Sequence, residues 1–244
     1  MERMTERFLA GLLLVGLVLA LASAVRADVT IVTETETKGA GPAQKATTTQ
    51  YYTATKMRNE YGEQSISIID LDNERMITLM PAMKMYMEQS FDDLKKMAEA
   101  FKSKEPEYEV EKTKETKEIN GYTCQKVIMR VKQMGAETVT ESWMTKDIKI
   151  DSAITEFLKN WAEKVKDIPQ QKQSLEAQQK LFEEGLFPVK TVTRMKMPMG
   201  TMTTTQTLTK IEKGDLDDSL FEIPEGYTKP TFGPPRPTGS ESED

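Results

Sequence analysis

The chain has no histidine among its 244 residues. Histidine is the commonest general acid/base near neutral pH and the commonest metal ligand. Its absence excludes a Ser-His-Asp triad, a Cys-His pair and any zinc site that needs an imidazole. Cysteine occurs once, as Cys124, so no disulfide can form within the chain. There is neither a GxSxG nucleophile elbow nor a GxxxxGKS/T phosphate loop. Asp70, Asp72 and Glu74 resemble the start of a calcium loop, but Arg75 stands where that loop needs glycine, and the stretch reads as a hairpin turn. Catalysis is not expected, and no cofactor is implied. A basic excess is also lacking: the formal net charge is −6. That balance opposes nucleic-acid binding and stable docking on anionic lipid headgroups.

The N-terminus has the three parts of a secretory signal peptide. Arg3 and Arg7 form a basic start, Phe8 to Ala22 an apolar run, and Ala22-Ser23-Ala24 or Val25-Arg26-Ala27 a small-residue cleavage site. The run is shorter than the ~20 apolar residues of a membrane-spanning helix, so cleavage and export are expected, without stable membrane insertion. Removing residues 1–27 leaves 30 basic and 37 acidic side chains, a net charge of −7. Export implies an oxidising space, where Cys124 is expected either as a buried small hydrophobe or as an intermolecular partner.

Residues 28–228 read as one α+β domain. Alternating, β-branched stretches predict strands at 28–37, 45–60, 64–71, 75–80 and 83–88, joined too tightly for parallel crossovers. Ser90, with Asp93 three residues on, caps a helix carrying Phe91, Leu94, Met97, Ala98 and Phe101. Strands follow at 107–119, 122–133 and 137–145, the first two turned by Asn120-Gly121. A helix starts near Asp151-Ser152, with Ile154, Phe157, Leu158, Trp161 and Val165 on one face, and another spans 170–184. Strands return at 188–198 and 201–212. Residues 229–244 are Pro-rich and acidic, with too little apolar surface to offset ordering entropy, and are expected to be a disordered tail.

Methionine is abundant, with sixteen in the chain, many of them alternating along strands. Met83, Met85 and Met87 are expected on one strand face and Met195, Met197 and Met199 on another, with Met76 and Met80 as a third row. Flexible, polarizable thioethers suit either a soft core or the lining of a cavity for a hydrophobic guest. Phe157 and Trp161 would add a helical lid over such a cavity. Thioethers also bind Cu(I), so a methionine-rich copper-binding protein is an alternative. A module that binds a partner's hydrophobic segment in a structural or assembly role is a third reading.

Several motifs carry a resemblance. They are Lys56-Met57-Arg58 with Asp70-Leu71, Lys84-Met85-Tyr86, Asn120-Gly121-Tyr122-Thr123-Cys124, and Leu220-Phe221-Glu222-Ile223-Pro224-Glu225-Gly226-Tyr227. Over most of residues 28–228 the chain resembles an uncharacterised exported bacterial family that is similar to the LolA-like superfamily of periplasmic lipoprotein carriers. The resemblance implies an open antiparallel β half-barrel with helices packed in or over its concave face. It also implies a carrier for a lipid or acyl chain, including that of an envelope lipoprotein, with a role in envelope or outer-membrane maintenance.

Overall fold

A computed structural model describes residues 28–39, 41–101, 106–133, 136–197 and 200–230. The expected signal sequence, Met199 and residues 231–244 of the expected tail lie outside these, as does the side chain of Met197. The first half of the chain is a meander of six strands: β1 (Asp28–Lys38), β2 (Gln44–Tyr52), β3 (Lys56–Tyr61), β4 (Ser65–Asp70), β5 (Arg75–Met80) and β6 (Met85–Ser90). Helix α1 (Phe91–Phe101) follows, then β7 (Glu107–Ile119), β8 (Tyr122–Gln133) and β9 (Ala136–Thr145). Helices α2 (Ser152–Lys164) and α3 (Pro169–Glu183) precede β10 (Phe187–Met197) and β11 (Gly200–Gly214).

All eleven strands join one antiparallel sheet in the order β6-β5-β4-β3-β2-β1-β11-β10-β9-β8-β7. β1 therefore lies inside the sheet, paired with β2 on one side and with β11 on the other. At about 4.8 Å per strand, the sheet would span roughly 48 Å if flat. Yet the small helical layer touches both ends of it. Trp161 of α2 packs edge-on against Phe91, just after β6, with ring centroids 5.0 Å apart. At the far end, the Lys112 ammonium of β7 reaches Glu184, at the end of α3, at 2.6 Å. Asn120 in the β7–β8 turn donates to the carbonyl of Leu208 on β11 at 2.9 Å, although β9 and β10 lie between that hairpin and β11. Such contacts require the sheet to roll around α2 and α3. The structure is the open half-barrel with helices on its concave face that the resemblance implied.

Local chemistry accounts for the elements. Ser90 Oγ accepts from the Asp93 amide at 3.1 Å and meets its carboxylate at 2.8 Å, the expected capping box of α1. Asp151 caps α2 by accepting from the Ala153 amide. The Asp70–Arg75 hairpin turn is tied by Asp70, which accepts from the Asn73 amide, the Asn73 side chain and Arg75.

Two strand expectations need correction. Residues 45–60 form two strands, because Thr53 Oγ1 accepts from the amides of Thr55 and Lys56 and turns the chain without glycine or proline. Met83 is not on a strand face with Met85 and Met87. Pro81–Met83 form a 3-10 turn that ends in left-handed Lys84 (φ 48°), leaving Met83 60% exposed.

The sheet is covered on both faces at different places. On the concave side, Val29, Ile31, Tyr52, Ile69, Met144 and Val189 pack with the α2 residues Ile154, Phe157, Leu158 and Trp161. On the convex side of β3–β6, Ile68, Ile77 and Leu79 are covered by the closing segment through Leu216, Leu220, Phe221, Ile223 and Tyr227. Arg58 donates to the Leu220 carbonyl at 2.6 Å, and Lys56 pairs with Asp218 at 3.1 Å. The segment then runs along edge strand β6. The Tyr86 amide donates to the Thr228 carbonyl, and the Thr228 amide to that of Lys84, both at 3.0 Å. The motif at residues 220–227 is thus a strap over the outer sheet.

Candidate ligand-binding site

α2 and α3 sit unequally on the concave face. The α2 stripe is fully packed: Phe157 is 1% exposed, with its ring edge-on to Tyr52 at 5.7 Å, and Trp161 is 5% exposed. Burial alone pushes the Tyr52 phenol up to about 12. α3 buries only Leu175 and Phe182 among its described side chains, and its N-cap, Ile168, offers no side-chain hydrogen bond. Gln178 falls between Leu175 and Phe182 on the same helical stripe but is exposed, at the mouth of the space beneath, where an apolar residue would complete the seal.

The space left under α3 forms two adjoining cavities. One, of about 200 Å³, lies toward β1, β2, β10 and β11 and is walled by Ile31, Tyr52, Ile154, Phe187, Val189 and Leu208. The other, of about 260 Å³, lies toward β8 and β9, with Val127, Met129, Met144 and Leu181. Gln178, Phe182, Pro188 and Thr191 line both, so α3 and the start of β10 divide a single concavity.

The expected lining residues go elsewhere. Phe157 and Trp161 line neither cavity; they are core, because α2 seats flush against β1 and β2. Met76 packs against that core from β5. Met80 pairs with Met85 and Thr78 with Met87 across β5–β6, on the same sheet face as Met76 but toward the end away from the helices. Met76 and Met87 line a separate groove of about 470 Å³ at that edge, along with Lys229 and Pro230. Met195 pairs with Met202 across β10–β11 and is exposed. Met83 stands in solvent on its turn.

Sequence reasoning missed the polar part of the concave face. Thr33, Gln50, Thr191 and Gln206 line the first cavity, and Ser142, Ser174 and Thr191 the second. Hydroxyls pair across strands on this face: Thr35 with Thr48 at 2.8 Å, Thr140 with Thr193 at 3.2 Å and Ser142 with Thr191 at 3.3 Å. The signal was polar residues two apart on one face, Thr33 and Thr35 in β1, Thr48 and Gln50 in β2 and Thr204 and Gln206 in β11, which pass for β-propensity alone. Cys124 is fully buried, and its thiol is pushed above its ordinary value by burial and by Asp147. Among the described residues, no cluster of three His, Cys, Asp or Glu side chains could hold a metal, and no helix is long and apolar enough to cross a membrane.

These features define a half-barrel with a partly filled concavity. The chain belongs to the family described as a domain of unknown function, DUF4412, whose model matches residues 38–227. No curated protein matches it. Among solved structures it is similar to PNGF-II, at 13% identity and a TM-score of 0.38; that match covers 84% of this chain but only 31% of the other. A DUF1329 family protein from Desulfovibrio piger aligns at 11% identity and a TM-score of 0.34, over 80% of this chain and 89% of that one. A putative outer membrane lipoprotein-sorting protein domain from Vibrio parahaemolyticus aligns at 8% identity and a TM-score of 0.30, over 79% and 88%. None of these likenesses reaches the similarity at which a superfamily could be assigned. They assign no activity.

Proposed function

We propose that this chain is an exported, non-catalytic binding protein that carries a hydrophobic ligand, a lipid or acyl chain, in the periplasm. The observation that supports this reading is the divided concavity under α3. Its two lobes together fall within the ~300–1,000 Å³ typical of small-molecule sites. Each methylene moved from water into such a lobe contributes about 0.8 kcal/mol, so a single acyl chain offsets the cost of association without a charged anchor. α3 is the movable part. Its few buried contacts and missing cap make it the low-stability element of the helical layer, while Gln179, donating to the Leu158 carbonyl at 2.9 Å, tethers it to α2. An acyl chain borne by an envelope lipoprotein fits the same concavity.

The test is extraction of lipid from protein purified without denaturant, with native mass spectrometry of the same sample. Copurifying acyl lipid, and binding of a neutral hydrophobic dye that acyl ligands displace, are the expected results. A bare polypeptide with no binding at tens of micromolar, about −6 kcal/mol, refutes the carrier reading.

A second reading, a Cu(I) protein, is favoured by the direct pairing of Met80 with Met85 and by Met87 two residues on. Replacing Met80 and Met85 with leucine would abolish tight Cu(I) binding in that case and leave acyl-lipid binding unchanged.

A further inference from the structure

The chain is 30% charged, yet none of the nineteen residues lining the two lobes under α3 is Asp, Glu, Lys or Arg. The other grooves are not like this. The convex one has Glu34, Glu36, Lys45 and Lys190, that beside β6 has Glu88, Asp93 and Lys229, and that on the outer side of α2 and α3 has Glu156, Lys159 and Glu183. The concavity is charge-free without being purely apolar. Gln50, Gln178 and Gln206 bring amides, each both donor and acceptor. Thr33 brings a hydroxyl whose Oγ1 is buried without a hydrogen-bond partner. That hydroxyl is closed off while α3 is seated, and a ligand's polar atom would satisfy it only as the helix moves.

Building on the carrier reading, we propose that the site selects an uncharged amphiphile, an acyl chain ending in an ester, amide or hydroxyl group, and discriminates against the free carboxylate of the same chain. An ionised headgroup drawn into the concavity would lose its hydration and meet no counter-charge, a loss that neutral amides and hydroxyls cannot make good. An ester or hydroxyl loses little, because glutamine and threonine can both donate to it and accept from it. Gln178 is the positioning residue. It lies where the two lobes meet, carried by the helix that must move to admit the ligand.

The experiment uses the full chain after delipidation, with Nile red as a neutral reporter. Monomyristoylglycerol and myristate, which share one acyl chain, compete for it at about pH 8, where the carboxyl is ionised. Monomyristoylglycerol is expected to bind at least tenfold more tightly, about 1.4 kcal/mol. Gln178→Lys, at an exposed helix position that keeps the fold by circular dichroism, should narrow the gap by improving myristate. Equal affinities at that pH, or tighter myristate, overturn the charge selection while leaving the carrier reading standing. Failure of the dye and both ligands to bind refutes the carrier reading itself.

Discussion

Replacing Phe221 with alanine tests whether the closing strap is part of the fold or an appendage. The ring is 2% exposed and sits among Ile68, Ile77 and Leu79 on the convex sheet face. The Lys56 ammonium lies 5.8 Å from its centroid. Truncating a buried aromatic to alanine costs about 3–5 kcal/mol through lost transfer energy and the cavity left behind. The cation over the ring adds at most about 1 kcal/mol, since Lys56 is partly solvated. Against a total stability of about 5–15 kcal/mol, this is a large fraction. With a urea m-value of about 2–3 kcal/mol/M, the denaturation midpoint should fall by about 1.5 M. Trp143 and Trp161 report the transition from the other cluster, so their fluorescence follows global unfolding rather than local detachment. Freeing Thr228 from Lys84 and Tyr86 also opens the β6 edge, so the variant should associate with rising concentration where the native chain does not. Glu225→Ala, on an exposed residue of the same segment, is the control and should shift stability by less than about 0.5 kcal/mol. A Phe221→Ala cost below about 1 kcal/mol with no association would show that the strap does not hold the sheet.

Other predictions follow from the remaining elements. Trp161→Ala should cost about 3–5 kcal/mol, as a packed core site does. Phe182→Ala, beside the open lobes, should cost less and weaken acyl-ligand binding several-fold; the reverse pattern in denaturation and binding curves would make α2 rather than α3 the movable helix. Burial opposes ionisation of Asp70, but hydrogen bonds from Asn73 and Arg75 outweigh it and hold its carboxyl below the ordinary value. Its stabilisation should therefore be present above the unfolded pKa of about 3.9 and be lost as pH falls through the lower folded value. Asp70→Asn should cost about 1–3 kcal/mol at neutral pH, and its stability curve should meet that of the native chain in acid. Cys124 should resist a thiol reagent at pH 8 until denaturant is added; rapid labelling of the native protein would contradict its burial.

The strands and helices were legible because their signals are local. The Ser90–Asp93 box, the Asp151 cap, Asn120-Gly121 and the alternation of apolar residues each act within a few residues. The Thr53 turn was not legible, since threonine there reads as strand until its hydroxyl is seen to bind two amides. The site was less legible than the fold. Rows of methionine predict a shared face, and Met80, Met85 and Met87 do share one, but periodicity does not say where along a strand the helices will sit. Those methionines fell at the uncovered end. Phe157 and Trp161 looked like a lid because helical spacing alone does not distinguish the helix that fills the concavity from the one that only partly closes it. The Gln178 gap in the α3 stripe was visible in the sequence, but its meaning depended on what lay beneath.

The position of β1 bears on how this protein is made. Its partner on one side, β2, follows at once, but the other, β11, is the last of the described strands. The strap that covers β3–β6 comes later still. A chain that emerges N-terminus first therefore presents strands open on one edge and bare on the outer face until nearly its whole length has appeared. Sheets closed by such distant pairings fold slowly, because loop-closure entropy is spent before the contacts form. Truncation anywhere before Tyr227 should leave a sticky half-sheet instead of a smaller working domain. A cell making this protein must therefore shield about 200 residues of unfinished sheet from aggregation until synthesis is complete.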